Sequence, residues 1–371
     1  MDKELRVIIS GGGTGGHIFP AISIANAIKA KHPEAKILFV GALGRMEMQR
    51  VPAAGYEIKG LPICGFDRKH LLKNVIVLFK IWKSEHMAKK VIKDFRPMVA
   101  VGVGGYASGP TLDECAKKGI PCLIQEQNSY AGVTNRLLAK KASKICVAYE
   151  GMNRFFPSDK IIMTGNPVRQ NVVDANLTKE EARKSYGLAP DKKTILIVGG
   201  SLGAKTINES VRKQFDMIRQ NSDVQIIWQT GKYYYDEMKQ SQEDFGIIPN
   251  LKMLDFISDM GAAYKAADLI ISRAGASSIS EFCLIGKPVI LVPSPNVAED
   301  HQTKNAMALV NKNAAIYVKD AEAVEVLMKE AFATVRNDAK LADLQVNIKK
   351  LGLKNSAGII ADEVVKLALG E

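Results

Sequence analysis

The sequence predicts an α/β protein of two domains, each a parallel sheet covered by helices, and three observations carry that expectation. Two glycine-rich turns, Gly11-Gly12-Gly13-Thr14-Gly15-Gly16-His17 and Gly199-Gly200-Ser201-Leu202-Gly203-Ala204, stand about one domain length apart. Each follows a short apolar run, Val7-Ile8-Ile9 or Ile195-Leu196-Ile197-Val198, and opens a helix. Backbone N–H groups and a positive helix end then point outward from the sheet, where anionic groups are the expected guests. Finally, strand and helix patterns alternate through both halves of a 371-residue chain that is 47% hydrophobic, long enough for two cores.

In the first half the pattern reads as strands Leu5–Ile9, Ile37–Val40, Val99–Val103, Cys122–Gln125 and Ile145–Ala148, with a helix Pro20–Lys31 and a basic helical region Lys69–Phe95. A strand Ile161–Met163 leads to the turn residues Gly165-Asn166-Pro167, where the boundary is expected, giving domains 1–163 and 164–371. The second half repeats the scheme with strands Thr194–Val198, Val224–Gln229, Leu251–Leu254, Leu269–Ser272 and Val289–Val292. Helical segments Ala321–Val335, Lys340–Leu351 and Ser356–Leu369 follow. Ligands of such sheets bind beyond the carboxyl ends of the strands, so two facing domains are expected to form a cleft lined by both sets of loops.

Composition excludes several classes. The five cysteines, Cys64, Cys115, Cys122, Cys146 and Cys283, show no Cys-x-x-Cys or Cys/His spacing, which argues against a disulfide framework or structural zinc and for a reducing cytoplasm. No apolar run approaches the ~20 residues of a spanning helix, and Met1-Asp2-Lys3-Glu4 leads directly into a strand, so neither export nor membrane insertion is expected. The net charge of +12 is uneven: residues 1–165 hold 25 Lys and Arg against 13 Asp and Glu, whereas residues 166–371 hold 26 of each. The first half alone therefore calls for an acidic partner. An anionic membrane suits it better than nucleic acid, because aromatic stacking residues do not interleave with the basic run.

Gly11 to Gly16 satisfies G-x-G-x-x-G, but the acid that would hold a dinucleotide ribose is missing after the second strand, where Gly41-Ala42-Leu43 stands. His17 falls in the first helical turn, where the positive helix end favours a neutral imidazole able to accept a proton; the alternative is a histidine that only fixes the loop. A second glycine-rich strand exit, Val101 to Pro110, precedes Gln125-Glu126-Gln127-Asn128, in which Glu126 reads as an acid/base group, an orienting partner or a solvated loop carboxylate. In Arg273-Ala274-Gly275-Ala276-Ser277-Ser278-Ile279-Ser280-Glu281 small residues admit a phosphate, and Glu281 one turn in can take both ribose hydroxyls or simply favour the helix dipole. Lys69, Lys73, Lys80 and Lys83 lie beside Leu72, Ile76 and Phe79 at helical spacing, with Trp82 next to them. That suits either a membrane-facing helix or a core helix with a solvated lysine face.

Together these segments closely resemble the MurG family over nearly the whole chain. The markers are Gly12-Gly13-Thr14-Gly15-Gly16-His17-Ile18-Phe19-Pro20, Gly104 to Pro110, Glu126-Gln127-Asn128, Gly165-Asn166-Pro167-Val168-Arg169, Gly199 to Ala204, Arg273 to Ala276 with Ser280-Glu281, and Asp300-His301-Gln302. The resemblance implies the GT-B fold, two Rossmann-like domains with the last helix, about 355–371, crossing back to the first. It implies a hexosyltransferase that moves N-acetylglucosamine from UDP-N-acetylglucosamine to the 4-hydroxyl of undecaprenyl-pyrophosphoryl-N-acetylmuramoyl-pentapeptide, with inversion, in peptidoglycan synthesis. It places the donor against Ile257, Glu281, Ser201, Ala276, Ser277, Ser278, Ile279, Ser280, Arg169, His301 and Gln302, with Thr14, Gly15, Gly16 and Asn128 completing the site. The acceptor pyrophosphate falls to Gly13, Gly105, Tyr106 and Ser108. His17 is the first choice of general base and Glu126 the second, with neither cofactor nor metal required. The lipid-linked acceptor implies peripheral docking on the cytoplasmic face of the inner membrane through Leu72, Lys73, Ile76, Phe79, Lys80, Trp82 and Lys83.

Overall fold

The computed structural model describes residues 4–65, 74–168, 172, 176–200 and 202–370, with side chains for all of these except 74–76 and 298. Leu72, Lys73, Arg169 and Ser201 lie outside the described residues, as does the side chain of Ile76. Two compact units divide the chain: Met1–Val168 together with Leu353–Glu371, and Arg169–Gly352.

The first unit runs β1 (Arg6–Ser10), α1 (Gly15–Lys31), β2 (Lys36–Ala42), α2 (Glu47–Ala53), β3 (Glu57–Leu61), α3 (Asn74–Phe95), β4 (Val99–Gly102), α4 (Ser108–Lys117), β5 (Cys122–Glu126), α5 (Val133–Leu138), β6 (Lys144–Val147) and β7 (Ile161–Met163), and recovers the last helix, Ser356–Leu369. Its seven strands form a sheet in the order β3-β2-β1-β4-β5-β6-β7. Every pairing is parallel, with Ile8 opposite Leu38 and Ile9 opposite Val101. The order reverses between β1 and β4, so the loops leaving those two strands flank the crevice where α/β sheets take their ligands.

Successive residues of a strand point to opposite faces, and β1 shows how both faces are covered. Val7 and Ile9 pack with Ile18, Ile24 and Ile28 of α1 and with Ile360 and Val364 of the last helix, whereas Ile8 packs on the other face with Leu38, Leu112 and Ile124. The last helix is pinned to α1 by Lys31, whose ammonium meets Asp362 at 2.5 Å and the Gly358 carbonyl at 3.3 Å.

The sequence pattern does not register α2, α4 or α5, and two further elements of this unit differ from it. α1 begins at Gly15 rather than Pro20, because Thr14 is extended (φ −142°, ψ 158°) and its carbonyl already accepts from the His17 and Ile18 N–H groups at 3.1 and 3.2 Å. The helix therefore absorbs both glycines, against their weak propensity. β3 carries no apolar stripe that a sequence pattern would register: Glu57 and Lys59 are exposed and Gly60 interrupts it, as suits a sheet edge.

The second unit carries β8 (Lys193–Val198), β9 (Val224–Gln229), β10 (Leu251–Leu254), β11 (Leu269–Ser272), β12 (Val289–Leu291) and β13 (Ile316–Tyr317), all parallel, in the order β10-β9-β8-β11-β12-β13. Its core gathers Ile195, Ile197, Ile226, Ile271 and Ile290 around the fully buried Trp228, whose indole N–H donates to Asn208 Oδ1 at 3.0 Å. The reversal here lies between β8 and β11.

At the opposite end of this sheet, buried Asp268 accepts from the Thr194 N–H at 2.7 Å and from buried Arg183 at 2.6 Å, and pairs with Lys179. Arg183 also donates to the carbonyls of Ala266 and Pro190, so one carboxylate ties the segment 179–194 to β11. Hydrogen bonds to charged groups contribute roughly 1.5–3 kcal/mol, and an amide retains part of this set. Asp268→Asn should therefore lower unfolding stability by about 1–2 kcal/mol, read as a lower urea midpoint with an unchanged slope. An unchanged midpoint would show that the cluster contributes nothing net.

Candidate active site

In the first unit the loops after β1 and β4 meet. The Gly12 N–H donates to the Gly104 carbonyl at 3.3 Å, and a Cβ on Gly105 would lie 2.4 Å from the Gly12 carbonyl oxygen. Only glycine permits that approach, and Gly105 also sits at φ +88°. Above this contact His17 Nδ1 lies 2.9 Å from the Gly12 carbonyl oxygen and 3.3 Å from Thr14 Oγ1. A carbonyl can only accept, so Nδ1 carries the proton and Nε2 is the basic nitrogen of the neutral ring. Nε2 lies over Gly104, where a Cβ would come within 3.0 Å of it.

The remaining candidates of this unit separate into two groups. Thr14, Gly13 and Gly16 are exposed, Gly15 and Asn128 half-buried, and Tyr106 exposed with its hydroxyl end over Gly65. Ser108, by contrast, is fully buried and donates to the carbonyls of Ser10 at 2.7 Å and Gly104 at 3.0 Å, so its hydroxyl holds the loop and does not face a ligand. The Gly13 N–H, expected to meet acceptor phosphate, donates instead to Glu47 Oε2 at 2.9 Å.

Glu126 corrects an expectation as well. It is buried, and each oxygen takes two donors: Oε1 the backbone and side-chain N–H groups of Asn128 at 3.0 and 3.3 Å, Oε2 the Gly132 N–H at 3.0 Å and Asn135 Nδ2 at 2.8 Å. All four are donors, so both carboxylate oxygens of Glu126 are taken up in bracing the 126–135 segment.

In the second unit the helix Ala276–Ile285 starts from extended Gly275 without a side-chain cap, so its first-turn N–H groups point beyond β11. Glu281, on the second turn and 4% exposed, accepts from the Tyr264 hydroxyl at 2.9 Å. Ser277 Oγ is buried without a hydrogen-bond partner, while Ser280 Oγ donates to the Ala276 carbonyl at 3.0 Å and Ile279 is buried in the helix packing. Gln302 Oε1 accepts from the Ala274 N–H at 3.2 Å and the Ser294 N–H at 2.9 Å, which joins the loops after β11 and β12 and leaves the amide nitrogen as its donor end. Arg273 fastens the same loops through the carbonyls of Val292 and Pro293 and a short contact with Asp320. Just before His301, Glu299 and Asp300 both hold positive φ, +56° and +50°, a strained approach to the helix His301–Val310. Ile257 is buried, which leaves its backbone rather than its side chain for any contact.

Known proteins share this arrangement. The models for the glycosyltransferase family 28 N-terminal and C-terminal domains match residues 7–147 and 194–358. A Phocaeicola vulgatus protein named UDP-N-acetylglucosamine--N-acetylmuramyl-(pentapeptide) pyrophosphoryl-undecaprenol N-acetylglucosamine transferase is 68% identical over 99% of this chain and 98% of its own length. One of the same name from Bacteroides thetaiotaomicron is 67% identical, with both chains covered completely. The chain belongs to the MurG family. Acinetobacter baumannii MurG, known from a crystal structure, superposes with a TM-score of 0.78 at 28% identity, covering 98% of this chain and 99% of that one.

Two residues of this MurG-family site escape sequence reasoning. Tyr264 lies 17 positions from the carboxylate it meets, on another helix. Glu47 stands beyond the place where a second-strand acid is looked for, at the first position of α2, yet its side chain returns to the Ala42 N–H at 3.0 Å and to the glycine loop. With each oxygen taken by a backbone N–H, of Gly13 and of Ala42, it is no ribose ligand of the dinucleotide kind. On the MurG-family α3, Leu78, Phe79 and Trp82 are more than half exposed, with Phe79, Trp82 and His86 tilted against one another at 5.8 and 4.3 Å between ring centroids. Lys83 is exposed, but Lys80 is half-buried with its ammonium 3.6 Å from Cys64 Sγ, so it does not share that face. Among the described residues no helix is long and apolar enough to cross a membrane.

Proposed function

We propose that the protein transfers N-acetylglucosamine from UDP-N-acetylglucosamine to the 4-hydroxyl of lipid-linked N-acetylmuramoyl-pentapeptide, inverting the anomeric centre and releasing UDP. The observation that carries the reaction is that relatives 66–68% identical over nearly full length bear a single transferase name. The second unit takes the donor: Glu281 accepts from the ribose hydroxyls, the Ile257 backbone reads the uracil, and His301 with Gln302 reads the sugar. The uncapped helix end at Gly275–Ser278 faces the diphosphate and stabilises the charge that grows on it as the bond to the sugar breaks, and the family resemblance adds Ser201 and Arg169 to the donor contacts. The first unit takes the acceptor along Thr14–Gly16, Gly104–Tyr106 and Asn128, and His17 Nε2 accepts the proton of the attacking hydroxyl. Radiolabelled transfer to lipid-linked acceptor, run beside UDP-glucose and UDP-N-acetylgalactosamine, tests the reading, and failure to release UDP with any lipid-linked muramoyl acceptor would end it.

The acceptor's lipid tail requires the protein to reach a membrane, and we assign that contact to the apolar face of α3 on the cytoplasmic leaflet. Phe79, Trp82 and Leu78 anchor, and the positive excess of the first half steers. Burying each aromatic ring contributes roughly 1.5–3 kcal/mol, so Phe79→Ser with Trp82→Ser should weaken binding to phosphatidylglycerol vesicles by about 10-fold or more. Activity on a short-chain, soluble acceptor should persist, and equal loss in both assays would assign these residues to the fold instead.

A further inference from the structure

Glu47 and His17 grip the same peptide from its two ends. Glu47 Oε2 accepts from the Gly13 N–H at 2.9 Å, and His17 Nδ1 lies 2.9 Å from the Gly12 carbonyl oxygen; that N–H and that carbonyl belong to the one planar unit joining Gly12 to Gly13. The order is carboxylate, peptide N–H, peptide C=O, imidazole Nδ1–H. Hydrogen bonds in series polarise one another, and an ionised acceptor makes the first of them charge-assisted. A carboxylate pulling on the peptide N–H makes its carbonyl oxygen a better acceptor, which favours the tautomer with the proton on Nδ1 and leaves Nε2 with the lone pair.

The local structure is arranged around this contact. Glu47 is 1% exposed, and its charge is met by two backbone donors, the Gly13 and Ala42 N–H groups, with no ion pair among the described residues. A Cβ at Gly12 would lie 2.2 Å from Glu47 Oε1 and one at Gly41 2.6 Å from Glu47 Cγ, so both glycines are required for the side chain to enter. Gly13 holds φ +89°, the rotation adjoining this peptide plane, a conformation that favours glycine.

We propose that Glu47 is a positioning residue that acts through the Gly12–Gly13 peptide to hold His17 in its Nδ1–H tautomer with Nε2 directed to accept a proton. This rests on the reading of His17 as the base, and the two can fail separately. The test compares wild-type enzyme with Glu47→Gln by long-range 1H–15N correlation on histidine-labelled protein, at a pH where the ring is neutral, with the His17 signals assigned by their loss in His17→Ala. Wild type should show a single tautomer with Nε2 unprotonated, and Glu47→Gln a mixture. In transfer assays Glu47→Gln should lose about 10-fold in kcat with both KM values within about two-fold, less than the loss of a carboxylate bonded directly to the ring because a peptide intervenes. In a His17→Ala background the same substitution should change nothing further. An unchanged tautomer in Glu47→Gln overturns the proposal, as does an equal further loss in the His17→Ala background, since a brace that only shapes the loop would add its effect whether or not the imidazole is present. Full activity of His17→Ala with a shifted tautomer in Glu47→Gln would keep the relay and discard the base.

Discussion

His17→Ala should lower kcat by about 100-fold or more while leaving KM for UDP-N-acetylglucosamine within about two-fold, because a general base contributes ~10²–10⁴ and makes no ground-state contact with the donor. Three features point to this side chain. Its Nδ1 is committed to the Gly12 carbonyl at 2.9 Å, so the proton-accepting nitrogen is the one over Gly104. It sits in the first turn of α1, directly after the glycine loop that joins β1 to this helix. The rival carboxylate, Glu126, already receives four donors. Glu126→Gln should accordingly act through the loop it braces, raising the acceptor KM more than it lowers kcat. Turnover of His17→Ala within a few-fold of the parent would remove the histidine from the chemistry.

If Glu281 takes the ribose as proposed, Glu281→Ala should weaken UDP binding by about 100-fold, since that role supplies two charge-assisted hydrogen bonds to ribose hydroxyls at roughly 1.5–3 kcal/mol each. Burial makes the loss large: at 4% exposure the carboxylate has little water to replace a departed ligand, and the Tyr264 hydroxyl at 2.9 Å fixes where its oxygens point. Tyr264→Phe should weaken binding by only about 3–10-fold, as it removes one neutral donor. Titration calorimetry with UDP and with its 2′-deoxy analogue distinguishes the roles, because the analogue should lose affinity for wild type but hardly any for Glu281→Ala. Equal affinity of wild type and Glu281→Ala for UDP would place the nucleotide elsewhere.

The sequence alone determined the two parallel-sheet units, the glycine-rich strand-exit loops and the family, because these are written in spacings of a few residues: apolar runs of strand length, glycines at turns and a helix opening after each. It could not determine which polar groups are already engaged. Ser108, Gly13, Glu126 and Lys80 all read as candidates by type and neighbourhood, yet three meet other parts of their unit and Glu126 a loop it holds itself. Glu47 passed unnoticed 34 residues from the N–H it holds. The reason is physical: a hydrogen bond is decided by atoms brought to about 3 Å of each other, and in a parallel sheet the loops that meet at one end are separated along the chain by a whole strand, helix or both.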